Sequence, residues 1–69
     1  MQQLKINGTE KQFPDGIPGT LAKLLEQLNI EPATVVAEID SQIIERTKFA
    51  QTHLSENQNI ELIKFAPGG

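Results

Sequence analysis

Cysteine, tryptophan and tyrosine are all absent from the 69 residues, and there is a single histidine. Without cysteine there is no disulfide, no thiolate metal site and no side-chain thiol nucleophile. Positive charge is also scarce: the net charge is −3, and phenylalanine is the only aromatic. The basic footprint and the stacking rings that nucleic acid requires are therefore both missing. The acidity is uneven. Residues 1–30 balance Lys5, Lys11 and Lys23 against Glu10, Asp15 and Glu26, and the excess lies in residues 31–69. No apolar run approaches the 18 or more residues of a membrane span. Met1-Gln2-Gln3-Leu4-Lys5 has no basic segment followed by an apolar stretch, so no signal peptide is expected. A cytoplasmic protein with no membrane partner is the expectation.

The inventory for catalysis is equally thin. His53 lies in the polar stretch Gln51-Thr52-His53-Leu54-Ser55, where a solvated surface imidazole is the ordinary outcome. Ser41 and Ser55 fall in turns with no base nearby in sequence, so a Ser-His-acid arrangement is not expected. Carboxylates are scattered, and a metal site would need more histidine or a carboxylate cluster. The side chains do not read as enzymatic, and no bound metal or cofactor is expected.

What is present describes one small domain. Leu4 and Ile6 alternate with Lys5, and Asn7-Gly8 follows, a hairpin signal because both turn positions favour positive φ. Residues 2–13 are thus predicted as a β-hairpin ending at Pro14. Thr20 is placed to cap a helix of about ten residues, with Leu21, Leu24, Leu25 and Leu28 on one face of a 3.6-residue period. Asn29 can close it in the left-handed conformation, and Pro32 prevents its resumption. Val35 to Ile39 reads as a strand, Asp40-Ser41 as a turn, and Gln42 to Ile44 as a short strand. Residues 45–59 are ambiguous, with Phe49 and Leu54 as anchors and a turn at Asn57-Gln58-Asn59. Ile60 to Phe65 reads as the last strand. Four or five strands with one helix across one face make an α+β roll, with the first and last strands as neighbours. The domain is expected over 1–65.

The four residues that follow, 66–69, read as a flexible tail. Pro67 fixes φ, while Gly68 and Gly69 carry no side chains. Four extended residues including Ala66 reach about 13–14 Å. Such a tail can pass a narrow tunnel and bring a carboxylate into another protein's active site. If Leu4, Ile6, Ile60 and Leu62 face the core, alternation puts Glu61, Ile63 and Phe65 on the opposite face. Ile63 and Phe65 then form an apolar docking patch leading to the tail.

These features together resemble the ubiquitin-like β-grasp family. More closely, the chain is similar to the sulfur-carrier family of thiamine thiazole synthesis, the ThiS family. The matching residues are Asn7 after the opening strand and Thr20-Leu21-x-x-Leu24-Leu25-x-x-Leu28 in the helix. Val36-Ala37-x-Ile39-Asp40-x-x-Ile43-Ile44-x-Arg46-x-x-Phe49 continues the pattern. Ile60-x-Leu62-Ile63-x-Phe65 then leads into Gly68-Gly69. Two positions depart from the family pattern. Glu45 stands where Pro is frequent, and Asn57-Gln58 where Gly-Asp is common; Asn57 can still supply a positive φ.

The resemblance implies a carrier, not an enzyme. An adenylating enzyme uses ATP and Mg²⁺ to activate the Gly69 carboxylate, a sulfur donor system supplies a persulfide, and the thiocarboxylate formed on Gly69 is passed to thiazole synthase. Three alternatives stay open: a molybdopterin synthase small subunit, a ubiquitin-like modifier that conjugates to lysine, and a passive β-grasp binding module.

Overall fold

Asn7 and Gly8 take φ of 50° and 83°, the doubly positive turn that matches the twist of a two-residue hairpin. They join β1 (Gln2–Ile6) to β2 (Thr9–Phe13), antiparallel from Gln2 opposite Phe13 to Ile6 opposite Thr9. The computed structural model describes residues 2–65. Ala66, Pro67, Gly68 and Gly69, which make up the expected tail, lie outside the described residues.

The helix α1 (Leu21–Gln27) begins where Thr20 accepts a hydrogen bond from the Lys23 N–H at 3.2 Å. It is shorter than the ten residues predicted. Asn29, at φ 57°, donates to the Glu26 carbonyl, and Ile30 donates to Leu25. This is the paired C-terminal closure that a left-handed residue permits, and it leaves Leu28 as the cap. Leu21, Leu24 and Leu25 are fully buried. A seven-residue helix has little stability of its own, so its packing on the sheet holds it.

After a 3-10 helix at Pro32–Thr34, β3 (Val35–Ile39) turns through Asp40 and Ser41 into β4 (Gln42–Ile44). The ambiguous stretch contains a second 3-10 helix, Arg46–Gln51. It is fixed by burial of Phe49 and, just beyond, Leu54, the two anchors expected. Residues 52–54 then pair with the start of α1: Leu21 donates to the Thr52 carbonyl and Leu54 to Gly19.

The chain closes with β5 (Asn59–Lys64). The sheet order is β2-β1-β5-β3-β4. Strands β1 and β5 are parallel and every other pairing is antiparallel. The centre of the sheet is thus built from both ends of the domain, as expected. The last strand ends one residue earlier than predicted, because Phe65 donates its N–H to Thr34 in the 3-10 helix, at 3.0 Å. One face of the sheet carries Leu4, Ala37, Ile60 and Leu62 into the core beneath α1; among the described residues no element covers the other face.

Candidate functional site

The uncovered face is where apolar side chains stand in the open. Because Ile60 and Leu62 are buried, strand alternation turns Glu61 and Ile63 outward. Ile63 is 51% exposed and Phe65 49%. Register adds two residues that a reading of β5 alone misses. Val36, 38% exposed, lies directly opposite Ile63, and Ile43, 66% exposed, projects from β4 opposite Glu38. Alternation in Val35-Val36-Ala37 carried a signal for Val36; for Ile43 the signal appears only once β4 is paired. Among the described residues these four are the only large apolar side chains so exposed. Val36, Ile43 and Phe65 also border one shallow groove of about 340 Å³, with Arg46 and Phe49 at its rim. A contiguous exposed apolar surface of this kind marks a contact site.

Strand β5 is held firmly where it carries the patch. The Asn7 side chain accepts from the Leu62 N–H at 2.7 Å and donates back to the Leu62 carbonyl at 3.3 Å. Its backbone N–H donates to Ile60 at 2.8 Å. At the positive φ of the turn, Asn7 thus continues the pairing of β1 with β5 after the β1 backbone has left the sheet. At the other end of the strand, Asp40 Oδ1 accepts from the Asn59 N–H at 2.9 Å. Asn57, at φ 68°, donates its N–H to the Gln3 carbonyl at 2.8 Å. Asn57 therefore supplies the positive φ where the family pattern has glycine.

The remaining polar side chains assemble no reactive centre. His53 is exposed in an isolated bridge with Thr20. Ser41 and Ser55 are exposed. Among the described residues no group of three or more His, Cys, Asp or Glu side chains is placed to hold a metal ion. No helix among them is long and apolar enough to cross a membrane. A larger hollow of about 510 Å³ beside the C-terminal end of α1 is bordered by Ala22, Leu25, Glu26, Asn29, Ile30, Glu31 and Pro32, none of them in β5.

The five-stranded mixed sheet with one helix packed across it is a ubiquitin-like β-grasp domain. The crystal structure of a thiamine biosynthesis protein (ThiS) from Geobacter metallireducens superposes with a TM-score of 0.83 at 24% identity, covering 97% of this chain and 99% of that one. The solution structure of a thiamine biosynthesis protein from the same organism gives 0.78 at 25% identity, over 97% of this chain and 87% of that one. The profile of the ThiS family matches residues 2–69. The chain belongs to the ThiS family, the family that its motifs resemble. A curated relative, a thiazole synthase from Paramagnetospirillum magneticum, is 28% identical over 67 residues, which is 97% of this chain. The chain spans only a fifth of that relative's length.

Proposed function

We propose that the chain carries sulfur as a thiocarboxylate on Gly69 and that partner enzymes perform every chemical step. The observation that carries this reading is the family match, which runs through β5 and on to Gly69 itself. A carboxylate is anionic at neutral pH and a poor electrophile, so it must first acquire a leaving group. In the adenylating enzyme, with ATP and Mg²⁺, a Gly69 carboxylate oxygen attacks the α-phosphorus and releases pyrophosphate. The terminal sulfur of a persulfide on the donor system then displaces AMP from the acyl carbon. Cleavage of the remaining S–S bond by a thiol frees the thiocarboxylate.

The residues of this chain supply delivery. Ile63 and Phe65 dock the carrier, and Ala66, Pro67 and Gly68 carry Gly69 from that surface into the partner's site with little side-chain bulk. Thiazole synthase is the acceptor in this reading. It is favoured by the relative of that name, which contains a region similar to nearly the whole of this chain. The exchange belongs in the cytoplasm, where ATP and the pathway enzymes meet.

The test is an intact mass of the chain after co-expression with its adenylating enzyme and a sulfur source. The expected result is a gain equal to one oxygen replaced by sulfur, mapped to Gly69, and no gain when Gly69 is deleted. An unmodified Gly69 beside a demonstrably active enzyme overturns the reading. Rescue of a thiamine-requiring strain, without rescue of a molybdopterin-requiring one, is the outcome expected for the pathway.

A further inference from the structure

The apolar face contains a charge arrangement that the apolar contact alone does not explain. Glu38 in β3 stands directly opposite Glu61 in β5. Both point to the uncovered side, because their strand neighbours Ala37, Ile39, Ile60 and Leu62 are buried. Directly opposed residues of adjacent strands hold their Cβ atoms about 4.5–5.5 Å apart, and like charges there oppose folding. Among the described residues neither carboxylate is in an ion pair; the one such pair joins Lys23 to Glu26 on α1. On β1, Lys5 is in register with Asn59, and Arg46 borders the groove beside Val36 and Ile43. Val36 opposite Ile63, and Ile43 opposite Glu38, set apolar side chains beside the two carboxylates.

This placement constrains what can cover the face. A purely apolar partner would strip water from two like charges and return nothing, and a buried charge without a counter-charge is strongly disfavoured. We propose that the adenylating enzyme docks here by setting a cationic side chain between Glu38 and Glu61, within an apolar rim that packs on Val36, Ile43, Ile63 and Phe65. A guanidinium fits best, since its fork can donate to both carboxylates at once. The Glu38–Glu61 pair thus selects a partner of one charge sign, while the apolar residues supply contact area. This inference rests on the carrier reading above and names the partner chemistry of that same face.

The experiment measures binding of the full chain to the adenylating enzyme over a range of ionic strength. It compares the parent, Glu38→Gln with Glu61→Gln together, and Glu56→Gln as a control for loss of an acidic charge elsewhere on the surface. The double variant is expected to bind about tenfold or more weakly and to lose most of the salt dependence. It should melt no lower than the parent, because a repulsion has been removed. Glu56→Gln should match the parent. Unchanged affinity and salt dependence in a folded double variant would overturn the proposal, and tighter binding would show that the face prefers an apolar partner. If the parent itself neither binds nor gains sulfur, the carrier reading fails first and this inference with it.

Discussion

Asn7 does two things that no single replacement preserves. Its backbone sits at φ 50° in the hairpin turn, and its side chain holds both backbone groups of Leu62. Alanine removes the side-chain bonds and strains the backbone, since a residue with a Cβ in the left-handed region costs about 1–2 kcal/mol. Leaving the Leu62 groups without their partner adds about 1–3 kcal/mol. Glycine relieves the strain but restores no bond. Asn7→Gly should therefore fall between the parent and Asn7→Ala in urea unfolding. Far-ultraviolet circular dichroism is the suitable probe, because the chain has no tryptophan or tyrosine. Equal losses for the two variants would show that the Leu62 clamp carries the whole effect. The turn was legible in the sequence as Asn7-Gly8. The clamp was not, because Leu62 lies 55 residues away and only the parallel pairing of β1 with β5 brings it within reach.

At the scale of the element, α1 shows what local sequence decides and what it does not. Thr20 as the cap, the buried leucine stripe and Asn29 at positive φ were all readable from residue type and spacing. The length was not, because the backbone closure at Asn29 and Ile30 takes Leu28 out of the helix. The 3-10 helix at Arg46–Gln51 was unreadable for a different reason: a six-residue polar segment has no periodicity to detect, and burial of Phe49 beneath α1 fixes it. Three variants separate the ends of α1. Thr20→Ala removes the bond to Lys23 and should lower stability by about 1 kcal/mol. Asn29→Gly keeps the left-handed closure and should leave stability within about 0.5 kcal/mol, whereas Asn29→Ala should lose about 1 kcal/mol or more. Thermal melts of the three compare them directly. An Asn29→Ala variant as stable as Asn29→Gly would mean that the closure does not limit the helix.

At the scale of the whole molecule, the fold separates the exposed apolar surface from the core that holds it together. The helix and the buried leucines occupy one side of the sheet, and the exposed apolar residues occupy the other. Val36, Ile43, Ile63 and Phe65 can therefore change with little consequence for folding. Phe65 is the decisive member, since it is half exposed and is the last described residue before the tail. Phe65→Asp should shift stability by no more than about 0.5 kcal/mol, as expected for a surface site. In the proposed reading it also sets a carboxylate where the adenylating enzyme packs, and loss of a central aromatic anchor costs about 2 kcal/mol or more in binding. Steady-state adenylation should then show KM raised roughly thirtyfold or more. The value of kcat should change far less, because the substitution leaves unchanged the residues 66–69 proposed to reach the active site. A fall in kcat at unchanged KM would place Phe65 in delivery of the tail instead of docking. Unchanged kinetics would remove the patch from the recognition surface and leave Gly69 as the sole determinant.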